Sequence, residues 1–225
     1  MPNYKVTKNK IRNNHYNGVI EYKTTSKKLI QSLVKSKLLK NAFFEDNYKT
    51  IYFKCSSVCF LKDFIKNLKQ INVYKIIYDL TSQIRYLLEE ANSVFIGFDP
   101  MHILVVNDDT YLYINGEHLE KIDQQDKIEI KYPPSSENYI LAPELYEITE
   151  LPCKTNYKCS YYSLGVLYLY IFKIIETKCI QQIDANDEEE IAQLLKTLSI
   201  NNTKIFYFLQ RCLQNNPANR RIFFV

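Results

Sequence analysis

The sequence predicts an α+β fold in two lobes, a small one rich in strands followed by a larger one rich in helices. Two observations carry this. Over roughly the first quarter of the chain, short apolar runs bounded by turn residues are interrupted by a single helical pattern. Beyond it the apolar spacing becomes mostly helical, with one hairpin inserted. The boundary is placed between residues 56 and 57, giving lobes 1–56 and 57–225.

Each element has its own signal. Residues 3–23 mix Tyr, Val and Ile with polar residues around the turn-like Tyr16-Asn17-Gly18, which predicts a strand pair. Thr24, Thr25 or Ser26 then caps a helix over about 25–40, with Leu29, Ile30, Leu33, Val34 and Leu38 on one face. Ala42–Phe44 and Thr50–Phe53, separated by Glu45-Asp46-Asn47, predict a hairpin. Leu61, Phe64, Ile65 and Leu68 predict a short helix, and the spacing from Val73 to Leu88 a long amphipathic one. Ile103–Val106 and Tyr111–Ile114 flank Asn107-Asp108-Asp109 as a second hairpin. Residues 115–140, with Pro133-Pro134-Ser135-Ser136, are expected to be loop, and helices are expected at 160–176, 187–198 and 203–213.

Composition narrows the function classes. The 225 residues are 46% hydrophobic and 24% charged, enough for a core and too apolar for wholesale disorder. The N-terminal MPNYKVTKNK has no apolar signal core, so an intracellular, cytoplasmic protein with reduced thiols is expected. Tyr161–Ile175 is the most apolar stretch, but it falls short of the ~20 residues a membrane helix needs. Cys55 and Cys59 lack a second ligand pair at zinc spacing and are expected to be packing residues. Charge is split along the chain. Residues 1–75 hold 16 Lys and Arg against 4 Asp and Glu, net +12, and residues 76–225 hold 13 against 21, net −8. The first half therefore attracts either the second half or an acidic partner.

Four motifs in the second half occur in a telling order. They are Phe98-Asp99-Pro100-Met101-His102-Ile103-Leu104-Val105, Ala142-Pro143-Glu144, Tyr162-Ser163-Leu164-Gly165-Val166, and Cys212-Leu213 followed by Asn216-Pro217-Ala218-Asn219-Arg220. Together they resemble the catalytic loop, the end of the activation segment, the central helix and the closing motif of the eukaryotic protein kinase large lobe. The resemblance covers about residues 61–221, while the first 60 match a kinase small lobe only in outline and are too short for its usual strands.

What the resemblance implies is a two-lobed kinase-like fold with its catalytic positions lost. Phosphoryl transfer requires held Mg²⁺, a base for the hydroxyl, and donors for phosphate charge. The base position aligns with Gly97, which has no carboxylate, and the two metal positions with His102 and Asn115. Asp99 falls where kinases place a phosphate-facing Lys and is expected to be a turn residue. The chain has only four glycines, Gly18, Gly97, Gly116 and Gly165, so no glycine-lined phosphate loop exists. Lys23 matches the strand lysine, but no Asp or Glu lies between Thr24 and Asn41 to pair with it. The resemblance also implies a structural Glu144–Arg220 ion pair.

The function expected is therefore that of a pseudokinase, a catalytically inactive scaffold or allosteric binding partner needing no cofactor. Its partner is expected to be another protein, a kinase or an acidic surface, with nucleic acid and membrane disfavoured. Lys27, Lys28, Leu29, Leu33, Lys35 and Lys37 form the expected docking face: an apolar stripe, partly exposed, framed by lysines. One alternative is a divergent active kinase using Glu117 or Asp99. Another is a nucleic-acid binder using Tyr48-Lys49, Tyr52-Phe53-Lys54 and Tyr74-Lys75.

Overall fold

The computed structural model describes residues 3–8, 17–24, 27–66, 71–134, 138–177 and 183–222. It is a mixed α+β protein with several small sheets. In chain order the elements are β1 (Tyr4–Lys8), β2 (Gly18–Tyr22), α1 (Lys27–Lys35), β3 (Phe43–Phe44), β4 (Thr50–Phe53), β5 (Val58–Phe60), α2 (Leu61–Lys66) and α3 (Val73–Ala91). Then follow β6 (Ser93–Phe95), β7 (Gly97–Phe98), β8 (Ile103–Val106), β9 (Thr110–Tyr113), β10 (Leu119–Lys121), β11 (Lys127–Ile130) and β12 (Ile140–Leu141). The chain ends with α4 (Pro143–Tyr146), β13 (Cys153–Asn156), α5 (Cys159–Thr177), α6 (Glu188–Thr197) and α7 (Lys204–Cys212).

Two compact units form, 1–93 with 101–119, and 94–100 with 120–225. This division differs from a boundary at 56/57, because α3 and the β8–β9 hairpin pack with the first unit. In that unit, β1, β2, β4 and β3 make a four-stranded antiparallel sheet, and β5, β8 and β9 a three-stranded one. Asn107 and Asp108 take the left-handed conformation that turns β8 into β9. α3 starts at Asn72, whose side chain accepts from the Lys75 N–H, and stops at Asn92 in the left-handed region. Its buried face carries Ile76, Ile77, Leu80, Ile84 and Leu87.

α1 is shorter than its periodicity suggests. It ends at Lys35, and Lys37 at φ 63° carries the chain away, so Leu38 lies beyond the helix. Thr25, Ser26 and the Tyr16 side of the first turn lie outside the described residues, as do Leu68, Ser135 and Ser136.

In the second unit α5 is buried on nearly all sides from Cys159 to Phe172. Gly165 is what lets α7 approach it: a Cβ there would stand 2.9 Å from Leu213 Cδ2 and 3.1 Å from Cys212 Cβ. Residues 115–140 are not simply loop. β11 pairs with β13 in antiparallel register from Lys127↔Asn156 to Ile130↔Cys153, and β12 pairs with β7. The correction has a physical source: Ile128 and Ile130 alternate with exposed residues, but their partner strand lies about 25 residues further on and has no apolar alternation. Among the described residues, no helix is long and apolar enough to cross a membrane.

Candidate functional site

The second unit holds Gly97 and Asp99. Gly97 sits opposite Leu141 in the β7–β12 pair, and an added Cβ would lie 2.4 Å from Leu141 Cδ2 and 3.3 Å from the Ile140 carbonyl oxygen. Leu141 is 1% exposed and has little room to retreat. The absence of a side chain at 97 is thus a packing requirement of the strand pair. Next to it, Ser163 of α5 donates to the Ile96 carbonyl at 2.9 Å, which ties the central helix to this loop. Asp99 is buried, and its charge adds to burial in pushing up the Tyr170 phenol. Gly97→Asp, which restores the carboxylate the kinase resemblance lacks, is expected to destabilise by at least 1–3 kcal/mol through overpacking and to yield no phosphoryl transfer. Urea unfolding and a radiometric kinase assay check the two halves of that statement.

Glu144 and Arg220 are brought together in the same unit. Arg220 Nη1 and Nη2 donate to the two Glu144 carboxylate oxygens, the second at 2.9 Å. Arg220 Nε donates to the Gln214 carbonyl at 2.7 Å, Nη2 to Asn215 O at 3.0 Å and Nη1 to Lys158 O at 3.5 Å. All the guanidinium's donor directions are therefore used in a side chain only 1% exposed. The guanidinium also lies over the Tyr162 ring, 4.8 Å from its centre. Burial pushes the Tyr162 phenol up to about 12 despite that nearby cation. The sequence places these partners conveniently: Pro143 opens α4 at its first turn, and Asn216 caps the Pro217–Asn219 turn by accepting from the Ala218 N–H at 2.9 Å.

His102, Asn115, Glu117 and Lys23 belong to the first unit. His102 Nδ1 shares a hydrogen bond with the Tyr4 hydroxyl, and the two rings meet edge-on at 5.5 Å. Tyr4 also meets Tyr22 at 6.1 Å and Phe60 at 6.4 Å, so an aromatic cluster from β1, β2 and β5 closes over the histidine. Tyr22 is buried and donates to the Ile114 carbonyl at 3.1 Å; burial, then Tyr4, raises its phenol well above the ordinary range. A cleft of about 440 Å³ opens beside Tyr4 and His102, walled by Phe60, Lys62 and Met101. Asn115 is buried, and its side-chain oxygen accepts from the Glu117 N–H at 3.1 Å in a local turn. Glu117 is exposed, and so is Lys23 at the end of β2.

The expected docking face is corrected in part. Leu29, Ile30 and Leu33 are 0% exposed, because α1 packs against α3 and β3 within its own unit. Lys28 is half-buried and donates to Ser93 Oγ at 2.6 Å, and the Lys27 ammonium lies over the Tyr48 ring at 5.3 Å. Lys35 and Lys37 are exposed. Val34 and Leu38 are half-buried, so the segment presents lysines and only one margin of its apolar stripe, the rest being covered within the unit.

Two residues that the sequence reading passed over matter more to the first unit. Asp79 and Gln83 are buried polar side chains on the apolar face of α3. Asp79 Oδ2 accepts from the Tyr111 N–H at 3.0 Å. Gln83 accepts from the Tyr113 N–H at 2.9 Å and donates to the Tyr113 carbonyl at 2.8 Å. Four residues along a helix span ~6 Å and two along a strand ~6.8 Å, so the pair matches the free edge of β9. Polar residues at i and i+4 within an apolar stripe are the signal that could have revealed them.

Among the described residues, no group of three or more His, Cys, Asp or Glu is arranged to hold a metal ion. Cys55 is buried, which pushes its thiol up. No protein-family model matches this chain, and no curated protein shows significant similarity to it.

Proposed function

We propose that this chain is a degenerate protein-kinase-like domain that works by binding another protein, not by transferring phosphate. The observation that carries the reading is position 97. The resemblance puts the catalytic base there, yet the residue is a glycine whose missing side chain is required by Leu141. The other aligned positions fit the same reading. His102 is engaged with Tyr4, and the Asn115 side-chain oxygen with its own turn. The Glu144–Arg220 pair, which the resemblance assigns to large-lobe architecture, is complete. A kinase fold that keeps its scaffold and loses its charge-handling groups retains surfaces to recognise and no means to stabilise a phosphoryl transition state. The basic first 75 residues suit a protein partner with an acidic surface.

The test is a thermal-shift titration with ATP, with and without Mg²⁺ or Mn²⁺. A ligand bound only to the native state at 100 times its dissociation constant stabilises by about 2.7 kcal/mol, a shift of several degrees. No metal-dependent shift is expected. A clear Mg²⁺-dependent rise, with autophosphorylation abolished by Glu117→Gln, would instead make the protein a divergent kinase.

A further inference from the structure

A strand at the edge of a sheet carries a row of backbone N–H and C=O groups that no neighbouring strand takes up. The first unit treats its edges unequally. The edge of β9 is taken by Asp79 and Gln83 of α3, and β3 is only two residues long. β1 is five residues long and ends the four-stranded sheet, with β2 on one side and no described strand on the other.

The register fixes which groups face outward. β1 and β2 are antiparallel, with Tyr4 opposite Tyr22 and Val6 opposite Ile20. The Lys23 N–H donates to the Asn3 carbonyl at 2.8 Å, whereas the Tyr22 N–H points the other way, to the Lys49 carbonyl at 2.8 Å. Bonding alternates along an antiparallel pair, so Lys5 and Thr7 bond to β2 while the N–H and C=O of Val6 and Lys8 point away from it. Among the described residues, nothing hydrogen-bonds to those outward backbone groups of Val6 and Lys8. The Lys8 ammonium does not guard the edge either, because it is bonded back to the Ser56 carbonyl.

A second observation lies beside the first. The side chains of Tyr4 and Val6 share one face of β1 and line the 440 Å³ cleft together with Phe60, Met101 and His102. Met101 is 42% exposed, and Val6 and Phe60 are half-buried, so apolar surface lies open next to the outward backbone of Val6. A strand added to β1 sends alternate side chains to that same face, over the cleft. From the open edge and the cleft beside it we infer that β1 docks an extended segment of an acidic partner protein, which joins the sheet as a further strand and seats an apolar side chain in the cleft. Main-chain bonds to Val6 and Lys8 hold the segment, and the cleft selects its side chain. The acidic character follows from the field of the net +12 over residues 1–75, to which the exposed Lys5 and the α2 lysines Lys62 and Lys66 contribute at this edge. A second copy of this chain fits poorly, because β1 against β1 would set Lys5 and Lys8 beside lysines of the same strand. The inference deepens the protein-binding half of the reading above and rests on that half alone.

The experiment is fluorescence anisotropy of the full chain with a short labelled peptide that alternates Leu or Val with Glu or Asp. Saturable binding with a dissociation constant below about 1 mM is expected, together with slowed hydrogen exchange at the Val6 and Lys8 amides. Val6→Pro removes the outward N–H and leaves the β1–β2 ladder its donors, and it should weaken binding about 10-fold or more. Met101→Glu, which sets a carboxylate on the cleft wall, should weaken it comparably. Unchanged thermal melts show that the variants fold; if Val6→Pro does not, Met101→Glu and the amide exchange decide. Binding that leaves exchange at Val6 and Lys8 unchanged, or that the folded variants do not weaken, overturns the inference. A peptide with Lys in place of its acidic residues that binds equally well overturns the acidic partner. Self-association of the free chain that Val6→Pro abolishes replaces that partner with a second copy. A Mg²⁺-dependent response to ATP would end the non-catalytic reading and leave this edge untouched, so the two fail separately.

Discussion

Glu144→Ala is expected to destabilise the protein by about 3–5 kcal/mol, the cost of leaving a buried guanidinium without its carboxylate. Arg220 cannot escape to water: its side chain is 1% exposed and is held by the Gln214 and Asn215 carbonyls. Arg220→Ala should cost at least as much, because it opens a cavity over Tyr162 and orphans those carbonyls as well as Glu144. The double variant should lose less than the sum of the two, since neither charge is then stranded. Arg220→Lys should rescue little, because an ammonium cannot reproduce the two-pronged contact. Denaturant midpoints at constant m-value measure all four. Strict additivity would mean that the pair is not coupled, and it would remove a principal support for the kinase-like reading.

Gln83→Met is expected to cost about 2–6 kcal/mol, although it preserves length and volume. The substitution leaves the Tyr113 N–H and carbonyl buried without partners, each worth about 1–3 kcal/mol. Asp79→Asn addresses the neighbouring contact through pH. Burial holds the Asp79 carboxyl above its ordinary range, against the opposing pull of Lys75 and the Tyr111 N–H. Its native pKa therefore exceeds the unfolded value of about 3.9, and the folded state binds the proton more tightly. The penalty for the buried charge is full above the native pKa and is relieved as pH falls through it. Relative to Asp79→Asn, the natural protein should gain stability as pH is lowered from neutral toward 4. Chemical denaturation at stepped pH reads this; a difference that is flat or of opposite slope would mean that Asp79 is ionised at no cost.

Local signals in the chain were strong wherever one element could declare itself. α3 follows from its apolar spacing, and α5, α6 and α7 fall close to the helices expected at 160–176, 187–198 and 203–213; in the structure Asn72, Asp187 and Thr203 cap α3, α6 and α7. The β8–β9 hairpin follows from Asn107-Asp108 between apolar runs, and the β1–β2 and β3–β4 pairs from apolar runs about Tyr16-Asn17-Gly18 and Glu45-Asp46-Asn47. The Glu144–Arg220 contact could be anticipated only through the kinase resemblance, because nothing local links positions 76 residues apart.

What the tertiary structure alone decided has one physical cause: it depends on which surface finds which partner. α1 was expected to leave part of its apolar stripe exposed, since a stripe of Leu and Ile does not say what will cover it; α3 and β3 pack against it and leave Leu29, Ile30 and Leu33 fully buried. β11 and β13 were missed because a strand three or four residues long is stabilised by its ladder, and the ladder is a long-range fact. Asp79 and Gln83 drew no notice in the sequence, and only the edge of β9 beside α3 shows what they hold. Gly97 appeared in the sequence as a lost carboxylate, and only the approach of Leu141 shows why no side chain fits there.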